Sequence, residues 1–370
     1  MNHKTENTKK THPGIFRFLF FFLACLLGNT ACAGIGSKAL PEGRKSYNMA
    51  IQESNDQQML LNLVRLKYRD NPYFLEVNNI VDRFSYNLGA NASATLPLTG
   101  ANVYGLGGNA SVSANPTISY SPLVGENLGK RFLSRIDIET LFILLESGWK
   151  VDRIFRVSLE RLGQLINAES ASGPTPAKVP EYEKFLEFSK ELRTLQLKKA
   201  FHVKLVNKGG QSALLIELDS EKAGGSIKKI NQALGLPKGS TSFFLTTQIN
   251  KDPLAINIKT RPLRGILYYL THATSVPPKD IEKGYVTSTK DVSGKVFDWH
   301  KVTGDLLKVQ HDYIEPGEAA VSVYYRKHWF YISDADLESK ATFHLLTEMF
   351  NLLAGGIKMP GPMFTIDVGR

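Results

Sequence analysis

Residues 84–121 carry the clearest secondary-structure pattern in the chain. Their sequence is FSYNLGANASATLPLTGANVYGLGGNASVSANPTISYS. Apolar residues fill nearly every even position of its two arms, residues 84–98 and 110–120. A period of two is typical of a β-strand with one apolar and one polar face. The sequence therefore predicts a long β-hairpin, with its turn in the glycine-rich segment at residues 105–108.

The predicted hairpin contains no Asp, Glu, Lys or Arg, although 22% of the chain is charged. An isolated two-stranded hairpin is only marginally stable in water, so its own domain or a partner must cover it. Each arm also has about the 9–11 residues that cross a bilayer as a tilted strand, so a soluble sheet and a barrel segment both stay open. We expect the hairpin to mediate assembly. Its candidate contact residues are Phe84, Tyr86, Leu88, Val112, Ile118 and Tyr120.

The N-terminus predicts export. Residues 1–17 are basic and polar, and residues 18–28 form an apolar run that suits a signal-peptide core but is short for a membrane span. Small residues before Cys32 suit a bacterial lipoprotein signal, although Asn29 stands where an aliphatic residue is usual. We expect a signal peptide over residues 1–33 and a lipid anchor on Cys32 at the periplasmic face of the outer membrane. The alternative is ordinary cleavage after Ala33.

Composition excludes several classes of protein. The chain of 370 residues is long enough to bury a proper core. Its only other cysteine, Cys25, lies inside the signal, so neither a disulfide nor a thiolate metal site is expected in the mature chain. The net charge of +10 is spread without a Lys/Arg block, which argues against a nucleic-acid partner.

After the signal peptide the sequence predicts a polar tether at residues 34–55, a helix, hairpin and helical module at 56–170, and a mixed module at 181–370. Three prolines at 174, 176 and 180 mark the boundary between the modules. Strands and helices do not alternate regularly in the last module, so the predicted fold class is α+β. The individual elements predicted include helices at 151–166 and 226–234 and a last strand at 364–368.

No catalytic constellation is apparent. The S-x-x-K pattern that starts at Ser226 lacks its usual companions, and the glycine-rich segment at 105–108 lacks the helix that a dinucleotide fingerprint needs. Asp334, Asp336 and Glu338 suit the N-terminus of a helix better than a calcium site. We expect no enzymatic activity, no cofactor and no metal, and an envelope hydrolase with an unrecognised site is the remaining enzymatic alternative.

An aromatic stretch at residues 319–332 suggests a binding surface. It is predicted as a strand pair or one long strand. Tyr324, Trp329 and Tyr331 are its candidate binding residues, with peptidoglycan, another glycan or lipid as the ligand. The alternative function is therefore an envelope binding module.

Several motifs carry a resemblance to known proteins. They are YN at 47–48, LLNLVRL at 60–66, PYFLEV at 72–77, PTISYSPL at 116–123, SGW at 147–149, FDW at 297–299, HWFYISD at 328–334 and LESKATF at 337–343. Together with Cys32 they resemble a family of uncharacterised proteobacterial cell-envelope lipoproteins over residues 32–370. The chain is also similar to accessory lipoproteins in the outer-membrane core complex of Dot/Icm-type type IV secretion systems. The resemblance implies a non-enzymatic structural subunit in a ring of many copies, with other envelope or secretion-complex proteins as partners.

Overall fold

The computed structural model describes residues 35–81, 84–95, 103–114, 117–174, 178–248 and 251–354. The helices are α1 (Ile35–Lys67), α2 (Gly125–Leu133), α3 (Ile138–Glu146), α4 (Val151–Ser158), α5 (Glu183–Leu197), α6 (Ser220–Ala223), α7 (Ser226–Leu234), α8 (Leu263–Thr271), α9 (Pro278–Glu282), α10 (His300–Thr303) and α11 (Leu337–Ala354), with one 3-10 turn at Glu169–Ser172. The strands are β1 (Leu75–Val81), β2 (Phe84–Thr95), β3 (Val103–Ala114), β4 (Thr117–Pro122), β5 (Leu159–Leu162), β6 (Leu165–Ile166), β7 (Phe201–Lys208), β8 (Gln211–Leu218), β9 (Ser242–Thr246), β10 (Ala255–Thr260), β11 (Gln310–Asp312), β12 (Ala319–Tyr325) and β13 (His328–Ser333). The fold is α+β, as predicted.

Two sheets form the body of the fold. A six-stranded sheet has the order β6-β5-β10-β9-β8-β7, and all its described pairs are antiparallel except β9 with β10. A three-stranded sheet has the order β11-β13-β12. Buried residues from α1 through α11 belong to one hydrophobic cluster, which includes Leu63 of α1, Leu141 of α3 and Leu346 of α11. None of the described helices is both long and apolar enough to span a membrane.

The chain divides into two compact units, residues 1–55 and 56–370. The predicted boundary at residues 170–181 does not separate two modules, because β5 and β6 precede it and pair into the same sheet as β10, which follows it. The prolines there mark a loop within one unit. The signal peptide, Cys32 and the last strand predicted at 364–368 lie outside the described residues.

Three local predictions are corrected. The stretch predicted as a polar tether at 34–55 is helical from Ile35 onward, since many of its polar residues are good helix formers. The helix predicted at 151–166 ends at Ser158, where the chain becomes β5 and pairs with β10. The glycines at 105–108 lie inside strand β3, so the predicted turn is wrong. A glycine is tolerated in a strand, and Gly107 has open space where a Cβ would be.

Candidate assembly hairpin and aromatic face

The predicted hairpin is present, and its two long strands are in unbroken register. Twelve pairs run from Phe84 opposite Ala114 to Thr95 opposite Val103. Because partners in the ladder share a face, this register brings the even-numbered positions of the two arms together. The six candidate contact residues fall at such positions: Phe84, Tyr86, Leu88 and Val112 in β2 and β3, and Ile118 and Tyr120 in β4.

A second antiparallel pair, β1 with β4, continues the hairpin toward the core. Tyr120 lies opposite Val77 and Ile118 lies opposite Ile80. The pair ends where the N–H of Leu123 donates to the carbonyl oxygen of Phe74 at 2.9 Å. Both of these residues are buried, and the Phe74 ring stacks on that of Phe350. Phe74 and Leu123 therefore form the root of the hairpin.

Two amide side chains of α1 hold the strand that leaves this root. Asn62 donates to the carbonyl oxygen of Tyr73 at 2.8 Å and accepts from its N–H at 2.9 Å. Gln58, one turn earlier, makes the same pair of hydrogen bonds with the backbone of Leu75, at 3.1 and 2.6 Å. These amides satisfy backbone groups that a neighbouring strand would otherwise satisfy. The direction of the hairpin is thus fixed by side chains of a helix.

Strand β4 is exposed on both faces. The side chains of residues 117–120 alternate between the two faces, and all four are exposed. Ile118 is 40% and Tyr120 is 54% exposed, while Leu75 across the pair is 38% exposed. Of the positions in β2 and β3 whose exposure is described, none is buried. The described chain therefore leaves apolar residues of the hairpin in contact with solvent.

The second candidate surface is the outer face of the three-stranded sheet. Tyr324 is paired with Trp329, and Tyr331 is paired with both Ser322 and Gln310, so the three predicted aromatic residues share one face. The rings of Tyr324 and Trp329 lie 5.4 Å apart. Tyr324 is 57% exposed.

The opposite face of this sheet packs into the core. Phe330 and Ile332 are fully buried there, and His328 is almost so. The His328 Nδ1 lies 3.0 Å from the carbonyl oxygen of Arg326, and the ring of Tyr313 lies 4.5 Å from that of His328. The sheet thus has one buried and one open face, as one-sided antiparallel sheets do.

A two-residue turn joins β12 to β13. Arg326 and Lys327 both have positive φ, 49° and 69°, which is the left-handed region that glycine or asparagine usually fills. Arg326 is held by Asp70, at 3.0 Å, and its guanidinium lies 4.7 Å from the centre of the Tyr68 ring. Lys327 is exposed and makes no such contact within the described chain. Contacts of Arg326 therefore stabilise an unfavourable turn.

Tyr68, Arg261 and His272 have shifted pKa values because of how they pack within the fold. Burial together with a hydrogen bond to Asp280 raises the pKa of Tyr68. Arg261 is fully buried over the Tyr269 ring, and burial lowers its pKa to about 10. Burial, and then the charge of Lys67, lowers the pKa of His272, whose ring stacks on Trp299 at 3.8 Å.

Burial also lowers the pKa of Lys67, to about 8. Its amine has no hydrogen bond or ion pair to another described residue. In the described chain, no carboxylate pairs with the Lys67 ammonium group in the last turn of α1.

The side chains of the motifs that resembled catalytic or metal sites bond to other residues of the fold. Ser226 donates to Glu191 at 2.9 Å, and Lys229 pairs with the same carboxylate at 3.1 Å. Glu191 and Lys229 border a groove of about 690 Å³ between α5 and α7. Since Lys229 and Ser226 both bond to Glu191 and lower its pKa, that carboxylate is a poor general base.

The acidic cluster before α11 is likewise engaged. Asp336 accepts from the N–H of Ser339 at 3.0 Å and so caps the helix, Asp334 pairs with Lys340 at 2.5 Å, and Glu338 pairs with Lys150 at 2.6 Å. Within the described ranges no group of three or more His, Cys, Asp or Glu residues could hold a metal ion.

Sequence reasoning missed Gln58, Asn62, Gln310 and Asp312. The first two lie among apolar residues of a helix, and only the structure shows that they reach a strand 11 to 17 residues away. The last two lie in a three-residue strand whose short alternation is too weak a signal.

Comparison of the chain with protein-family models, with curated proteins and with solved structures found no match in any of the three.

Proposed function

We propose that this chain is a non-enzymatic, exported lipoprotein that serves as a structural component of a Gram-negative envelope assembly. The observation that carries the proposal is the exposure of β4 on both faces, with Ile118 and Tyr120 in contact with solvent. Apolar residues that protrude on a two-stranded sheet are typical of a surface that a partner covers. Tyr120 at 54% exposure is the most prominent of them.

The charge distribution favours a second copy of this chain as the first partner. Without residues 1–33, which hold four Lys/Arg and one Glu, the chain carries a net charge of +7, so copies of it repel one another over most of their surface. Residues 84–121 carry no charge, so two copies meet there without repulsion and without desolvating an ion. Among the described strands, β2 and β3 pair only with each other, so their outer edges also offer backbone groups to a further strand.

The place of the assembly is proposed from the N-terminus and from the resemblance. A lipid on Cys32 would hold the chain at the inner face of the outer membrane. The resemblance to accessory lipoproteins favours the outer-membrane core complex of a type IV secretion system, with its other subunits as further partners.

The test is the native mass of the protein, extracted from its own envelope in mild detergent and analysed by mass spectrometry. We expect a large complex that contains several copies and other envelope proteins. A strictly monomeric protein in that extract would overturn the proposal.

A hairpin-deletion variant makes the test specific. Val81 and Thr117 are partners in the β1–β4 ladder, so residues 82–116 can be replaced by Asn-Gly, a two-residue loop that suits a hairpin. We expect this variant to keep the helical signal in its far-UV circular dichroism spectrum and a cooperative melting transition. We expect it to lose the large complex. An unchanged complex would show that the hairpin does not carry the assembly.

A further inference from the structure

The outer face of the three-stranded sheet presents six side chains in two rows. One row is Asp312, Trp329 and Tyr324, and the other is Gln310, Tyr331 and Ser322, because each set is joined by cross-strand pairing. Neighbours within a row lie about 5 Å apart, which is the spacing of paired strands.

The polar members of this face have hydrogen-bonding capacity left over. Gln310 accepts from the Tyr331 hydroxyl at 3.1 Å, which leaves its amide N–H groups without a partner in the described chain. One carboxylate oxygen of Asp312 accepts from the N–H groups of Tyr313 and Ile314, and the other is without a partner among described residues. Gln310 and Asp312 are both exposed. Free donors and acceptors therefore flank the aromatic rings.

The chemistry of the six positions distinguishes between classes of ligand. None of the six is cationic, and Asp312 is anionic, so an acidic polymer or an anionic lipid would be repelled. Aromatic rings beside amide and carboxylate groups suit a pyranose, whose C–H face packs on a ring while its hydroxyl groups form hydrogen bonds.

We propose that this face binds a neutral glycan chain, with Trp329 and Tyr324 as the stacking platform and Gln310 and Asp312 as the hydroxyl-binding groups. The ligand runs perpendicular to the strands, because each row has a polar side chain on β11 and an aromatic side chain, Trp329 or Tyr331, on β13. This binding does not depend on the proposed assembly, because the hairpin contributes none of the six residues.

The alternative role of the aromatic pair is to stabilise the β12–β13 hairpin, and the experiment separates the two. The full-length protein in detergent is titrated with chitohexaose, with cellohexaose and with heparin by isothermal calorimetry, and tryptophan emission is followed in parallel. We expect at least one neutral oligosaccharide to bind, and added heparin not to displace it, because heparin would bind cationic residues elsewhere on this basic protein. Binding of heparin alone, or of none of the three, would overturn the proposal.

Variants then locate the site. Tyr324→Ala is expected to weaken binding about tenfold and Gln310→Ala about threefold, with the melting transition of the protein unchanged for Gln310→Ala. Trp329→Phe keeps a ring and is expected to retain binding within about threefold, so it remains informative if Trp329→Ala fails to fold. Tyr73→Ala, which removes an exposed tyrosine elsewhere, is the matched control and should bind like the wild type. Equal affinity in Tyr324→Ala, Gln310→Ala and wild type would place the glycan elsewhere and refute this site.

Discussion

The side-chain amide of Asn62 is hydrogen-bonded to both backbone groups of Tyr73, at 2.8 and 2.9 Å, although Asn62 is in a helix and Tyr73 in the segment that enters a strand. Asn62 is fully buried. Its amide takes the position of a neighbouring strand in the hydrogen-bonding pattern. Together with Gln58, Asn62 therefore anchors the segment that enters the hairpin to α1.

Replacing Asn62 tests this relationship. Asn62→Leu keeps the approximate size of the side chain but leaves the N–H and C=O of Tyr73 without partners, and since both hydrogen bonds are part-buried, each loss costs about 1–2 kcal/mol. We expect the free energy of unfolding, measured with urea, to fall by about 2–4 kcal/mol. Gln58→Leu is the matched control, because its two hydrogen bonds are exposed and water can replace them. A loss in Gln58→Leu as large as that in Asn62→Leu would contradict this account.

Glycine substitutions at Arg326 and Lys327 are expected to have different effects on the melting temperature. Both residues have positive φ, so glycine at either position relieves strain of about 1 kcal/mol. Lys327→Gly loses no described contact and should raise the melting temperature. Arg326→Gly also loses the contacts with Asp70 and the Tyr68 ring, so it should leave the melting temperature unchanged or lower it. Equal stabilisation by both variants would show that the contacts of Arg326 contribute nothing.

Lys67 predicts a pH dependence of stability. Its pKa is lowered from 10.5 to about 8 by burial, so between these values the unfolded chain binds more protons than the folded chain. Its contribution therefore makes the free energy of unfolding rise as the pH rises from about 8 to 10.5. In Lys67→Met this rise should disappear, and the variant should be the more stable protein below pH 8. Chemical denaturation at pH 7, 8, 9 and 10 measures the difference, and parallel curves for the two proteins would refute it.

The exposed apolar residues of β4 predict a defect in assembly without a defect in folding. Ile118→Glu and Tyr120→Glu each place a charge on the uncharged hairpin. We expect either substitution to raise the dissociation constant of the native complex at least tenfold. Leu197→Glu is the control, because Leu197 is 67% exposed but lies at the end of α5. The melting temperature should change little in all three variants, because none of these side chains is buried. Native mass in detergent is the readout, and equal dissociation by Leu197→Glu would argue against the hairpin.

Local signals predicted those elements that depend on local chemistry. The helix predicted at 226–234 is found at Ser226–Leu234, where Gly235 has a φ of 68° and ends it. The even-position pattern also predicted which residues of the two strands share a face, but not the register, because the turn was predicted at residues 105–108. These features need no information about the rest of the chain.

Distant partners decided the elements that were predicted wrongly. Residues 159–166 have the spacing of a helix, but Leu159 and Leu162 pair with β10, almost a hundred residues away. The glycines at 105–108 looked like a turn, whereas alternation continues through them to Tyr104 and Val103. On the aromatic face, the rings were found from sequence, but Gln310 and Asp312 join them only through strand pairing.

The absence of charge between residues 84 and 121 has a consequence for how this surface responds to its surroundings. Dissolved salt weakens contacts between exposed ions, and at physiological ionic strength it screens them beyond about 8 Å. A contact made only of backbone groups and uncharged side chains has nothing to screen. A change in ionic strength therefore leaves the direct contacts of the hairpin almost the same, while it alters the repulsion between the charged remainders of two copies.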